Sequence, residues 1–400
     1  MFASSDVSYF ARTNARDRHV SFGIKQADRL SHIYVIGKTG VGKTTLLETL
    51  ISQDIAAGRG CALIDPHGDF VERLVARIPA HRQSDLVYLD VTDPKQPYGY
   101  NPLMRVSFDL RPLVASGLMD VLKKMWDDAW GVRMEHILRN TILALLDQPK
   151  AILPDVLSMI ADKSFRYQAI KHIENEQVRT FWQNEFPKYS YRYQADGIAP
   201  IQNKVGAFLA DPRLLRILTR PDGQLRLRSI MDDGKILLVN LSKGVLGEDS
   251  SSLFGGMIVT SLGLAAFSRV QLPERDRRSF HVYVDEFQNF TTLSLANMLS
   301  ELRKFGVGCV LAHQYLHQLD PDIREAVIGN AGTMISFRLG ASDAWFIARE
   351  FEPVFSHVDL LNLPNRDVYV KLMIDGAPSK PFSATIQRFG ASPLDALDNA

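Results

Sequence analysis

The chain has 400 residues, 46% of them apolar and 23% charged, the proportions of a soluble globular protein with room for a large α/β domain and an insertion. A formal net charge of +1 excludes recognition of nucleic acid or an anionic membrane through global charge, so any such partner is expected at a local patch. Two cysteines, Cys61 and Cys309, each beside an apolar run, exclude a disulfide or zinc framework and read as buried thiols of a reducing cytoplasm.

Residues 1–19 are polar, carry no apolar core of a secretory signal, and are expected to form a tail. His32–Ile36 reads as a short strand and Lys43–Ala57 as a helix with Leu46, Leu47, Leu50 and Ile51 on one face. Cys61–Asp65 and Leu86–Asp90 read as further strands, so residues 20–105 alternate strand and helix, the pattern of a parallel sheet covered on both faces. From 106 to 228 only amphipathic helical stretches occur, for example Met134, Ile137, Leu138, Ile142 and Leu145, and an all-helical insertion is expected. Strands resume at Lys235–Leu241, His281–Asp285, Gly308–Ala312 and Thr333–Phe337, with Asp367–Ile374 and Pro381–Thr385 as a closing pair, so that 229–390 completes the sheet. Residues 391–400 read as a second tail. Ser250–Ser268 has 19 residues without charge, about the length of a bilayer span. Its six hydroxyl residues and three glycines make it weakly apolar, and a core helix is expected there, with no transmembrane segment in the chain.

Gly37-Lys38-Thr39-Gly40-Val41-Gly42-Lys43-Thr44 fits G-x-x-x-x-G-K-[ST] and lies between a strand and a helix, where such a loop wraps phosphates with its backbone N–H groups. The helix N-terminus adds partial positive charge, and Thr45 extends the cradle. Lys43 is expected to reach the β- and γ-phosphates of ATP, and Thr44 to ligate Mg²⁺. Hydrolysis needs a second carboxylate set. Val282-Tyr-Val-Asp285-Glu286 ends an apolar strand with two acids, Asp285 to hold Mg²⁺ through water and Glu286 to orient or deprotonate the attacking water. The next strand ends in Ala312-His313-Gln314, which places the Gln314 amide at the same edge as a candidate γ-phosphate sensor. Asp65-Pro66-His67-Gly68-Asp69 also follows a strand; it reads equally as a lining of the nucleotide site or of a subunit contact, and as a turn in which Gly68 and Asp69 have a turn-and-cap role.

These segments together resemble the HerA/FtsK superfamily of ring motors, and most closely its conjugative coupling-protein branch, the DNA-binding ATPases of type IV secretion. The resemblance is carried by Phe22-Gly-Ile24, Asp28-Arg29, His32, the phosphate loop and Asp65–Asp69, then by Asp233–Lys243, Asp285-Glu-Phe-Gln288, Leu302–Gly308 and His313-Gln314. It implies a RecA-like core with an inserted all-α domain, a homo-hexamer with ATP between subunits, and DNA moved through a central channel. It also implies an arginine supplied to the neighbouring subunit's site, and Arg303 and Arg338 occupy the matching positions. A relaxase, a secretion channel or a nuclease is the partner it implies, with a cytoplasmic protein docked at the inner membrane through such a partner. The residues ahead of His32 show neither the transmembrane helices of coupling proteins nor the β-barrel of HerA proteins.

Phe186–Arg228 holds eight Lys/Arg against three Asp, a local surplus on a near-neutral chain. Within it Lys188, Tyr191 and Arg192 interleave cations with aromatics, a combination suited to phosphate contacts and base stacking, and also to a solvated helix face with buried tyrosines. The reading is an ATP-driven DNA translocase. An ATPase energising protein export and a nucleotide-stabilised scaffold for a nuclease or effector are its alternatives.

Overall fold

The computed structural model describes residues 6–15 and 19–388. Thirteen strands follow in chain order: β1 (Val7–Thr13), β2 (Ser21–Lys25), β3 (Ile33–Ile36), β4 (Gly60–Asp65), β5 (Leu86–Asp90), β6 (Ile236–Asn240), β7 (Phe280–Val284), β8 (Val307–His313), β9 (Thr333–Ser336), β10 (Asp367–Lys371), β11 (Met373–Ile374), β12 (Ala377–Pro378) and β13 (Phe382–Ile386). Eleven of them form one sheet in the order β2-β1-β13-β10-β9-β3-β8-β7-β4-β6-β5. From β9 through β3, β8, β7 and β4 to β6 every pairing is parallel. These strands are covered on both faces, and β3, β4, β6, β7 and β8 are buried along their whole length, which is why they read as unbroken apolar runs.

The other end of the sheet is antiparallel, through β10–β9, β10–β13, β1–β13 and β1–β2. Here burial alternates, as along Asp367–Lys371. The expected N-terminal tail is corrected by this end of the sheet, because Val7–Thr13 is strand β1 between β2 and β13. Its pairing partner Ala384–Ile386 lies at the far end of the chain, and a bulge between Tyr9 and Ala11 breaks its alternation, so no local pattern announces it.

The chain divides into two compact units. The sheet unit comprises residues up to 89 with 227–242 and 265 onward; its core packs Leu46, Leu47, Leu50 and Ile51 of the helix Lys43–Ala56 with Val35, Leu63, Tyr283 and Val310. A buried ion pair fixes this helix. Asp54 accepts both guanidinium nitrogens of Arg29, at 2.6 and 2.8 Å, together with Arg59 at 2.7 Å and the Tyr283 hydroxyl at 2.5 Å, and Arg29 also donates to Ser8 of β1. Arg29 and Asp54 are fully shielded from solvent, a burial offset by this pairing, with Arg29 Nε left without a hydrogen-bond partner among the described residues.

The second unit comprises residues 90–226 and 243–264 and is helical, including Arg111–Met125, Val132–Leu146 and Tyr191–Leu209. The expected insertion ended at 228; in the structure the segment 243–264 groups with it as well. The reason is packing. Tyr100 meets Phe254 edge-on at 5.6 Å and bonds Ser261 at 2.8 Å, and a Cβ at Gly117 would lie 2.7 Å from Thr260. The helix Glu248–Phe267 that supplies these residues opens the one stretch among the described residues long and apolar enough to cross a membrane, and 67% of its apolar window is buried inside the protein, as expected of a core helix.

Candidate functional site

The parallel strands all end at the same edge of the sheet, and the loops that follow β3, β4, β7, β8 and β9 gather there. The loop after β3 turns through Gly40 and Gly42, both at positive φ (76° and 122°), before the helix Lys43–Ala56 begins. Glycine is required at Gly37 for a different reason, since a Cβ there would stand 2.5 Å from the Cβ of Phe337. Gly37 and Lys38 are tied back by their N–H groups to His313 O and Arg338 O. The N–H groups from Thr39 to Thr45 find no acceptor among the described residues, and the first helical bond is Leu46 N–H to Gly42 O. A row of orphaned donors at a helix N-terminus is an anion cradle, so the residues present fit a phosphate chain.

Lys43 is buried and donates to Gly37 O (2.7 Å) and Lys38 O (3.0 Å), inside its own loop. Burial pulls its pKa down, and the carboxylates of Glu286 and Asp285 oppose that shift. Asp285 and Glu286 follow β7, both buried. Asp285 is pushed up to about 7 by burial, with Glu286 and Asp65 adding to the shift and Lys43 opposing it. Such a carboxyl is poised to ionise when a cation arrives.

Glu286 sits in the left-handed region (φ 48°, ψ 49°), an uncommon conformation for a non-glycine residue. Its carboxylate is held from both sides. Gln288 donates to Oε2 at 2.8 Å and Gln314 donates to Oε1, while Gln314 in turn accepts the Thr39 hydroxyl at 2.6 Å. The structure thus brings Thr39, Lys43, Asp285, Glu286 and Gln314 together. Sequence reasoning assigned no role to Gln288; its signal was a second amide two residues after Glu286.

Asp65 acts as the cap at the end of β4. Its carboxylate accepts the N–H groups of His67, Phe70 and Val71, fastening the helix Asp69–Val75. Gly68 (φ 96°) makes the turn, pressed against Asn240. Of the two sequence readings, the turn at Gly68 is present, and the capping carboxylate is Asp65 and not Asp69.

The two candidate arginines lie at opposite ends of the strands. Arg338 follows β9 on the loop side, donating to Leu363 O at 3.2 Å and Asn365 Oδ1 at 2.9 Å. Arg303 precedes β8 at the other edge, exposed to solvent, and the seven residues of that strand put about 20 Å between it and its own chain's loop.

In the helical unit Lys188 and Arg192 are exposed and make no ion pair among the described residues. Much of the surrounding surplus is engaged: Arg213 pairs with Asp211, Lys204 with Asp128, and Arg216 and Arg220 hold Asp93 O and Gln96 O. Tyr189 and Tyr193 pack on each other at 4.3 Å, with Arg133 over Tyr193, so these two rings are structural. The side chain of Tyr191 lies outside the described residues.

Residues 16–261 match the family model described as the central domain of helicase HerA, and residues 232–345 the model described as the type IV secretion-system coupling protein DNA-binding domain. No curated protein matches the chain by sequence. Among solved structures it is similar to the unbound bacterial conjugative coupling protein TrwB, at 18% identity and TM-score 0.67, over 92% of this chain and 88% of that one. It is similar also to the plasmid coupling protein TrwB in complex with ADP and Mg²⁺ (17%, 0.66, 97% of each chain). VirB4 of Thermoanaerobacter pseudethanolicus follows at 14% and 0.64, over 97% of this chain and 98% of that one. These likenesses show the fold, a RecA-like P-loop core with an all-helical domain. The first family model covers more than half of the sequence, and the chain belongs to the family of the HerA helicase central domain.

Proposed function

We propose that this protein is an ATP-hydrolysing motor that assembles as a ring, most simply a hexamer, and translocates DNA. The observation that carries the reading is the held carboxylate of Glu286, fixed between Gln288 and Gln314, with Gln314 bonded to Thr39 of the phosphate loop. A carboxylate held in place for the attacking water and wired to the phosphate loop is what a triphosphatase needs beyond binding. Lys43 leaves the carbonyls of Gly37 and Lys38 and meets phosphate oxygens, and the orphaned N–H groups from Thr39 to Thr45 take the rest of the charge. Glu286 orients the attacking water, and Gln314 reports the occupancy of the loop to it. Thr44 and Asp285 would hold Mg²⁺, which supplies charge neutralisation on the phosphate oxygens.

Arg303 serves the neighbouring subunit, because its own site lies at the other end of β8. Arg338 stays with its own loop through Lys38 N–H. DNA as the substrate is supported by the coupling-protein DNA-binding family model over 232–345 and by the exposed cations Lys188 and Arg192, which make no ion pair among the described residues. The protein works in the cytoplasm, docked at the inner membrane through a relaxase, channel or nuclease partner. Steady-state ATPase measured with and without DNA tests the reading. DNA-stimulated turnover, abolished in Glu286→Gln, is expected; turnover indifferent to DNA assigns the motor to protein export, and rings without turnover make it a scaffold.

A further inference from the structure

Beside the Lys188–Arg192 turn, the helical unit opens into a groove of about 800 Å³. Lys163, Arg166, Lys171 and Arg179 line it, and no carboxylate among the described residues does. Asp162 lies near enough to act on Arg166, but none of the four cations makes an ion pair among the described residues, and internal structure supplies only part of an explanation for them. Arg166 donates one nitrogen to Met159 O and Ile160 O, at 2.9 and 2.8 Å, and lies 5.2 Å from the Phe186 ring. Arg179 donates Nε and Nη2 to Ile173 O. Each guanidinium carries five donors, so Nη2 of Arg166 and Nη1 of Arg179 remain without an acceptor among the described residues. Lys163 has no ion-pair partner among them either.

The aromatic side of the groove is equally unexplained by packing. Trp182 and Phe186 are buried and form its floor, but Tyr167 is 65% exposed. The Lys171 ammonium, which donates to Gln168 at 2.8 Å, stands 4.6 Å from the centre of the Tyr167 ring. An open ring with a cation at its face, in a groove with a surplus of positive charge, offers stacking and phosphate neutralisation at once. The volume is that of a site for a small ligand, about 300–1,000 Å³.

We infer that this groove holds a short run of single-stranded nucleic acid, with phosphates on Lys163, Lys171 and Arg179 and a base stacked on Tyr167. A single strand is favoured over a duplex because stacking needs a free base face, which paired bases do not present. An acidic peptide would satisfy the cations but would not use the exposed ring of Tyr167 for stacking. The inference rests on the reading of the chain as a DNA motor.

Fluorescence anisotropy on the full chain with labelled oligothymidylate tests it, with thermal melts to show that the variants fold. Tyr167→Ala is expected to weaken binding about tenfold, within the range of base–aromatic stacking, at an unchanged salt slope, and Tyr167→Phe to bind as the parent does. Lys163→Ala/Lys171→Ala is expected to lower the slope of log affinity against log salt by about 1.4, roughly 0.7 for each phosphate on a single strand. Parental affinity in Tyr167→Ala overturns the site, as does an unchanged slope in the lysine pair. Poly-glutamate that loses binding in the lysine pair while oligothymidylate does not reassigns the groove to an acidic peptide. If Lys188→Ala/Arg192→Ala loses DNA and Tyr167→Ala does not, the DNA reading stands and the groove alone falls. If the parent binds no single strand, both fall.

Discussion

The side-chain amide of Gln314 donates to Glu286 Oε1 across the neighbouring strand ends of β8 and β7, and its carbonyl oxygen accepts the hydroxyl of Thr39 at 2.6 Å. One side chain therefore connects the carboxylate that handles water to the loop that handles phosphate. Gln314→Ala removes the connection without touching Lys43. Nucleotide affinity should change less than threefold, while turnover falls by about ten- to a hundredfold, because a general base adds roughly 10²–10⁴ and is here misplaced, not deleted. Titration with a fluorescent ATP analogue beside steady-state hydrolysis separates the two; unchanged turnover removes Gln314 from the mechanism.

Lys43 and Glu286 should separate binding from chemistry. Lys43→Ala deletes the ammonium that lies within the loop, and nucleotide binding should be lost. Glu286→Gln keeps the shape, and binding should persist while hydrolysis drops by at least about a hundredfold. The variant also exchanges a carboxylate acceptor for an amide opposite Gln314 and Gln288, so a small loss of melting temperature is expected. Equal hydrolysis in Glu286→Gln and the parent would exclude Glu286 as the base.

Arg303 and Arg338 should respond differently to mixing. Arg303 lies at the edge of the sheet opposite its own phosphate loop, whereas Arg338 is bonded beside it. Arg303→Ala alone should bind ATP and hydrolyse it about a thousandfold more slowly, the lower range for an arginine supplied in trans. Mixed with Lys43→Ala, which retains Arg303, it should recover activity at hybrid interfaces. Arg338→Ala should show no such recovery. A monomer with full activity, or recovery by Arg338→Ala alone, would reverse the assignment.

The parallel half of the sheet and the phosphate loop were legible because burial on both faces writes a continuous apolar run, and because a loop that wraps phosphate needs its glycines in fixed places. Cys61–Asp65 and Gly308–Ala312 fell within two residues of β4 and β8 at either end. At the antiparallel end the closing pair was legible, since Asp367–Ile374 and Pro381–Thr385 fall on the paired strands β10 and β13, but β1 and β2 were not. β1 pairs with its neighbour β2 across a bulge, and its other partner is some 370 residues away, as Ala11 pairs with Ile386. The Arg29–Asp54 pair shares that cause, since it joins residues 25 apart whose meeting is decided by the sheet and not by spacing along the chain. Glu286 was legible as a residue type at a strand end; the two amides that hold it became a constellation only once β7 and β8 were adjacent.

His281 predicts how stability depends on pH. It lies fully buried on β7 opposite Gly308, whose missing side chain leaves room for the ring, and neither ring nitrogen has a hydrogen-bond partner among the described residues. Burial first, then the charge of Arg29, brings its pKa down to about 3; Asp54 opposes this, and Arg59 and His32 add to it. The folded state therefore keeps the ring neutral while the unfolded chain takes a proton below about 6.5. Stability from this group is complete above that pH and declines as pH falls toward 3, with a loss of about 2 kcal/mol at pH 5. His281→Gln should be less stable throughout but should lose less than the parent between pH 7 and pH 5. Thermal melts at both values check this, and parallel losses in the two proteins would refute it.

Binding of DNA at the Lys188–Arg192 turn is the prediction with the most direct competitor. Both side chains are exposed and without an ion pair among the described residues, whereas most of the nearby cations are engaged within the helical unit. Binding should be largely independent of sequence, because phosphate contacts position a protein without reading bases. Replacing Lys188 and Arg192 together by Ala should weaken binding and lower the salt slope by about 1.4 on a single strand, since two fewer phosphates release their counterions. Tyr191→Ala should harm single-strand binding more than duplex binding if its ring stacks on bases. The competing account gives these residues a part in folding the helical unit, as Tyr189 and Tyr193 evidently have through their contact at 4.3 Å. Under that account the double variant would melt earlier and bind DNA normally per folded molecule. Anisotropy titrations at several salt concentrations, run beside thermal melts, decide between them: an unchanged melting temperature with a reduced slope assigns the turn to DNA, and normal affinity in a well-folded double variant takes it away.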